Sequence, residues 1–242
     1  MRLSTSHPHP QVGCRRRQSR GFSTWDGLAT AAVLTLLGVV AFGLVTRASA
    51  RQAELVCVDN LGKVAGSIHK YAADHQQTLP GPVAGQQGDF WWFYKEQVKS
   101  HLGLNGTSSA SDTVFACPSD RGYSDPKPFS QTARFDFSSY VFNGVTLPGT
   151  PNVAGWKVGA ITQPARTLLV MEWAAHAPLS WHRSRTGKAN APFYTDAACA
   201  VAFVDGHAAV TPIYYDGFNA AYTRDPLPRY AYRYSGADPV HE

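Results

Sequence analysis

GLATAAVLTLLGVVAFGLVTRASARQAELVCVDNLGKVAGSIHKYAADHQQTLPG, from Gly27 to Gly81, is the stretch that decides the fold. Its two halves follow different rules. Gly27 to Val45 contains no charged residue. At about 1.5 Å per residue this run spans roughly 28 Å as a helix, close to the ~30 Å hydrocarbon thickness of a bilayer. Further on, Cys57, Leu61, Val64, Ile68 and Tyr71 recur at spacings of four, three, four and three. That is an apolar stripe on an otherwise polar helix. No breaker interrupts Ala50 to Glu54, and Pro80-Gly81 stops the pattern. The expectation is one helix from about Phe22 to about His75, roughly 80 Å long, whose second half alone can lie on a soluble domain. Gly62 and Gly66 weaken that half by about 1 kcal/mol each against Ala and are expected to allow close packing on a sheet.

Upstream, residues 1–21 hold Arg2, Arg15, Arg16, Arg17 and Arg20 and no acid. The chain has 22 basic residues in all, so 17 remain outside this leader against 17 acidic ones. The net charge of +5 therefore belongs to the leader, which argues against nucleic acid as a partner of the domain. A basic cluster before an apolar helix holds the N-terminus in the cytoplasm, although Arg47 and Arg51 follow the helix. The apolar run exceeds the ~7–15 residues of a secretory signal, while Ala48-Ser49-Ala50 has the composition of a cleavage site. A retained anchor is favoured and a cleaved signal stays open. Asp26 borders the run, where a carboxylate costs less than the ~2.5–3.5 kcal/mol of the bilayer centre. It reads either as a first-turn acid favoured by the helix dipole or as a group that seeks a partner.

Downstream, 44% hydrophobic and 16% charged residues supply a core and exclude a disordered chain. The 21 Gly without a period and the 4 Cys exclude collagen-like and disulfide-dense scaffolds. Thr167–Trp173 and Ala198–Phe203 read as strands between turn formers, and Asp205-Gly206 is a hairpin-turn signal. The fold class is α+β: a long N-terminal helix, membrane-spanning in its first half, packed on a small antiparallel sheet. The expected boundaries are a leader over 1–21, a helix over 22–79 with its span at about 27–45, and a soluble β-rich domain over 80–242.

Arg20-Gly21-Phe22, then Asp26 as the fifth residue after the Gly, then an apolar helix, resembles the type IV prepilin signal. Asp stands where that family usually has Glu, and Ser23, Thr24 and Trp25 replace apolar residues. CVDNLGKVAGSIHKYAADHQQTLP (Cys57–Pro80), DFWWFY (Asp89–Tyr94), FACPSD (Phe115–Asp120), SSYVFNG (Ser138–Gly144), ARTLLVMEW (Ala165–Trp173) and VAFVDGH (Val201–His207) follow in order. This series resembles prepilin-like proteins with a C-terminal H-X9-DG domain. Thr195 stands where that domain has its His; His182 is the nearest upstream, and 183–191 reads as an inserted loop. The tail after Thr211 falls outside the pattern.

The resemblance implies cleavage between Gly21 and Phe22 by a prepilin peptidase, N-methylation of Phe22, and assembly in which Asp26 pairs with a neighbouring subunit's amine. It also implies a disulfide between Cys57 and Cys117, which sit in family-like motifs; three buried free thiols are the alternative, Cys14 leaving with the leader. Neither C-x-x-C nor H-E-x-x-H occurs, so no zinc motif is legible. His176, His182 and His207 with Glu172, Asp196 and Asp205 are candidates for a divalent cation such as calcium, Asp205 and His207 foremost. Asp205 as a turn residue and His207 as a strand residue is the plainer reading. The run Phe90–Tyr94 suits stacking on sugars or a partner if exposed, and is expected to pack in the core. No G-x-S-x-G, P-loop or dinucleotide fingerprint appears, so no enzyme is expected.

The expected function is a structural pilin-like or pseudopilin-like subunit of a type II secretion or type IV pilus machine, with no cofactor. Its partners would be the peptidase, other pilin-like subunits and membrane lipid. It would sit single-pass in the inner membrane, with the domain periplasmic or extracellular. The alternatives are a monomeric membrane-anchored binding module and an exported metal-dependent enzyme.

Overall fold

A computed structural model describes residues 21, 23–83, 90–122, 127–145, 147–175, 180–182, 197–214, 225, 227 and 230–238. The chain is α+β: a long N-terminal helix and a four-stranded antiparallel sheet. Helix α1 (Thr24–Asp74) is 51 residues long. The chain divides into two units between Thr46 and Arg47, within the residue range of α1.

In the first unit the apolar side chains of α1 face outward. Trp25 is 78% exposed, Leu28 62% and Phe42 73%. This stretch is long and apolar enough to cross a membrane. In the second unit α1 buries Glu54, Cys57, Leu61, Val64, Ala65, Ile68 and Ala72 along one face. Complete burial of Leu61, Val64 and Ile68 stabilises by about 1.5–3 kcal/mol each. Tyr71 is only half-buried and stacks on His75 at 3.8 Å between ring centroids. Gly62 and Gly66 do not serve close packing, because a Cβ at either would meet nothing within 4 Å. The helix ends six residues before Pro80: Gln76 and Gln77 turn left-handed, at φ 55° and 61°, and the Gln77 N–H donates to the Ala72 carbonyl at 2.7 Å.

The sheet has the order β1 (Tyr140–Phe142), β2 (Leu168–Glu172), β3 (Ala198–Phe203), β4 (Ala208–Pro212). Tyr140 faces Glu172, Leu168 faces Phe203, and Cys199 faces Thr211. A register irregularity lies between Leu168 and Val170. Every residue of β1 and β2 is buried, so both faces of these strands are covered. The β3–β4 hairpin closes through Gly206 at φ 94°.

Helix α2 (Phe90–Val98) carries the aromatic run into the core. Phe90, Trp92 and Tyr94 are buried and Trp91 and Phe93 half-buried. Trp92 lies 4.7 Å from Phe135, and Phe90 meets Phe142 edge-on at 5.7 Å. Lys95 is buried beside them, and its Nζ donates to the Asp136 and Phe137 carbonyls at 2.8 and 3.3 Å and pairs with Asp112 at 2.9 Å. Three acceptors around one ammonium explain how a buried lysine is tolerated.

The C-terminal segment belongs to the same core. Tyr232 and Tyr234 are buried, and Arg233 bridges β2 through Leu168 N–H to Arg233 carbonyl and Arg233 N–H to Arg166 carbonyl, both 2.9 Å. Asn143, fully buried after β1, donates through Nδ2 to the Leu168 and Tyr234 carbonyls at 2.8 Å each. One side chain thus ties β1, β2 and the tail together.

Candidate functional site

Four chemistry-bearing side chains meet where the globular half of α1 approaches the end of β2. Cys57, on the buried face of α1, is bonded to Cys117 in the loop after the 3-10 turn Thr113–Phe115. The approach is fixed by Asn60, one turn along α1, whose Nδ2 donates to the Ala116 carbonyl at 3.1 Å and the Thr113 carbonyl at 3.4 Å. On the loop side the Cys117 N–H donates to Ser139 Oγ at 3.0 Å, and Ser139 donates in turn to Asp120 at 2.6 Å.

Glu172, the last residue of β2, is completely buried. Its Oε2 accepts the Ala200 N–H at 3.0 Å; its Oε1 accepts from His182 Nε2 at 2.8 Å and lies 3.3 Å from Cys117 Sγ. The His182 side chain is 2% exposed, and its Nε2 stands 3.5 Å from the same sulfur. His182 is held by its own N–H, which donates to Ser180 Oγ at 3.0 Å. Burial disfavours the imidazolium, but the Glu172 hydrogen bond and the carboxylates of Glu172 and Glu54 outweigh it and raise the His182 pKa. Its Nδ1 is buried with no partner among the described residues. His182 also lines a cleft of about 630 Å³, together with Arg47, Arg51, Glu54 and Leu55.

The remaining sequence candidates lie elsewhere. Asp205 and His207 share the β3–β4 turn, 2.5 Å apart between Oδ1 and Nδ1, with the His207 ring stacked on Phe203 at 4.2 Å. Leu168 pairs with Phe203 at that end of the sheet, and Glu172 is four residues further along β2, roughly 13 Å away. The six-residue cation constellation therefore does not converge: Glu172 and His182 occupy one end of the sheet, Asp205 and His207 the other. His176, Asp196, Thr195 and the loop 183–191 lie outside the described residues, as do Asp89 and Phe22.

Gly21 is exposed at the start of the described chain. Asp26 closes a capping box with Ser23: the Ser23 N–H and Oγ each donate to Asp26 Oδ2 at 2.9 Å, and the Asp26 N–H donates back to Ser23 Oγ at 3.2 Å. Cys199 is buried and takes no part in the disulfide, and its pKa is driven up by burial and the Glu172 charge. The disulfide is the pairing that the resemblance implied, and Glu172 and His182 both stood in the cation set; no sequence signal joined the two pairs, which come from four separate segments.

No family model, curated protein or solved structure matches the chain.

Proposed function

We propose that the chain is a pilin-like or pseudopilin-like structural subunit, cut after Gly21 and held in the membrane through the first half of α1. The observation that carries this reading is the character of α1. One helix presents an apolar, exposed surface from Leu28 to Val45 and then buries an apolar face from Cys57 to Ala72. A helix with an unpartnered apolar half needs lipid or other helices around it. The basic leader before Gly21 supports a cytoplasmic N-terminus, and assembly with like subunits supplies a use for helix surface that lipid alone would also cover. On this reading the domain is extracytoplasmic, where a disulfide persists, and its role is architectural.

A second reading is favoured by one observation. Asp26 accepts two hydrogen bonds from Ser23 in its own first turn, a capping role that calls for no neighbouring subunit. A monomeric membrane-anchored module would have this arrangement.

The test is made in the native host. Intact mass and N-terminal sequencing should give an N-methylated Phe22, and crosslinking of membrane-embedded subunits should give a ladder that Asp26→Asn abolishes and Asp26→Glu keeps. An intact Met1 with no ladder assigns the chain to the monomeric anchor. A mature start near Arg51 rejects both readings in favour of a cleaved signal.

A further inference from the structure

We propose that Cys57, Cys117, Glu172 and His182 form a binding site for one thiophilic divalent cation of the zinc class when the disulfide is reduced. The same pocket then holds either a sulfur–sulfur bond or a metal ion. The inference does not depend on how the chain functions in the membrane.

One donor atom from each residue lies within 4.8 Å of every other. Around a tetrahedral zinc with bonds of about 2.0–2.3 Å, donor atoms stand roughly 3.3–3.8 Å apart. The contacts of Cys117 Sγ with Glu172 and His182, at 3.3 and 3.5 Å, are already at that spacing. Opening the two sulfurs after reduction and separating Glu172 from His182 by about half an ångström completes the shell.

The donor set selects the ion. Two thiolates and an imidazole with one carboxylate suit zinc or cobalt, whereas calcium and magnesium take oxygen shells. Of the four donors, Glu172 is oriented from behind, its Oε2 accepting the Ala200 N–H. The backbones that carry Cys117 and His182 are held by N–H bonds to the Ser139 and Ser180 hydroxyls. His182 also lines the cleft beside Arg47, Arg51 and Glu54.

Reduction by a dithiol transfers two electrons to the protein sulfurs, leaves two cysteine thiols and oxidises the dithiol to its own disulfide. Burial beside Glu172 keeps both sulfurs as neutral thiols until a cation arrives. A divalent ion takes the place of the two thiol protons, which leave to solvent, and accepts a ring-nitrogen lone pair from His182.

The full chain in detergent micelles, reduced anaerobically with a water-soluble phosphine that becomes its oxide, would be titrated with Co²⁺. The expected result is one Co²⁺ per chain with a tetrahedral visible spectrum and a thiolate-to-metal charge-transfer band, displaced by one equivalent of Zn²⁺. The oxidised chain should show neither feature. Removing even an outer contact of a metal site weakens binding about 10–100-fold, so His182→Ala and Glu172→Gln should each weaken it by about 100-fold or more. His182→Gln, closer in shape, guards against misfolding, with near-ultraviolet circular dichroism of the oxidised form as the check. Asp205→Asn should leave affinity unchanged. The proposal is overturned by any of four results: no charge-transfer band in the reduced chain, equal binding by the oxidised chain, unchanged affinity in correctly folded His182→Gln, or a reduced chain that unfolds and is not restored by Zn²⁺.

Discussion

Replacing Cys57 and Cys117 together by Ala removes a crosslink across 60 residues of chain. In the loop-closure picture the entropy withheld from the unfolded chain grows with the logarithm of loop length, and for this separation it comes to about 14 cal/mol/K, or about 4 kcal/mol at room temperature. Both cysteines are buried, at 0% and 3% exposure, so each lost sulfur adds about 1 kcal/mol of emptied volume, comparable to a deleted methylene. Residual structure in the unfolded chain acts in the other direction. The net expectation is a loss of about 4–5 kcal/mol, a large part of the 5–15 kcal/mol typical of a folded protein. The assay is urea unfolding of the full chain in mild-detergent micelles, followed by near-ultraviolet circular dichroism from the buried Trp92 and Trp181. Cys199→Ala, which deletes a buried sulfur without a crosslink, is the control and should lose about 1 kcal/mol. A double variant that loses no more than this control, with the same denaturant slope, would refute the loop-closure argument.

Three further outcomes follow from local geometry. Burial, with Lys95 opposing it and the Glu96 charge assisting, raises the Asp136 carboxyl from 3.8 to about 6. The folded chain therefore binds more protons than the unfolded one between about pH 4 and 6, and this group's contribution falls as pH rises through that window. At about 1.4 kcal/mol per pH unit the ceiling is about 3 kcal/mol, and solvent contact lowers it to about 1–2. Asp136 sits at φ 50°, which Asn tolerates, so Asp136→Asn should stabilise by that amount at pH 7 and hardly at all at pH 4, read from urea midpoints at the two pH values. Gly62→Ala and Gly66→Ala meet open space and should each raise the unfolding free energy by about 0.5–1 kcal/mol; a loss in either would show packing on that side of α1. Asn143→Ala leaves the Leu168 and Tyr234 carbonyls without their side-chain donor and should cost about 2–4 kcal/mol, with the tail becoming sensitive to limited proteolysis.

The long helix was legible because its signal is additive: an uncharged run of lipid-spanning length, then apolar residues at helical spacing, then a stop at Pro80. The strands β2 and β3 were legible from β-branched and apolar residues between turn formers. β1 was not, being three residues long, and β4, whose AAVTP is mostly small or polar and ends in proline, was signalled only by the Asp205-Gly206 turn before it. α1 ends at Asp74, one residue from the expected His75, where Gln76 and Gln77 adopt the left-handed conformation that glycine would have announced. Lys95 reads as a surface residue after an aromatic run, and only the carbonyls of Asp136 and Phe137 make its burial tolerable. The burial of Glu172 beside the disulfide was hidden for a related reason. A strand ending in Glu looks like a strand reaching solvent, and nothing local shows that the next segments cover it.

The buried polar residues Asn60, Asp120, Ser139, Asn143 and Glu172 act as ties between segments remote in sequence. Asn60 holds α1 to the Thr113–Ala116 loop, and Asp120 and Ser139 hold that loop to the start of β1. Asn143 holds β1 to β2 and the tail, and Glu172 holds β2 to β3. Each is a buried hydrogen bond whose loss leaves an unsatisfied group, which is sufficient reason for the residue without any reaction. The motif order therefore speaks to how the domain is stitched onto its helix. What the assembled molecule does beyond that rests on two places the motifs do not explain: the exposed apolar half of α1, and the sulfur, carboxylate and imidazole gathered around Cys117.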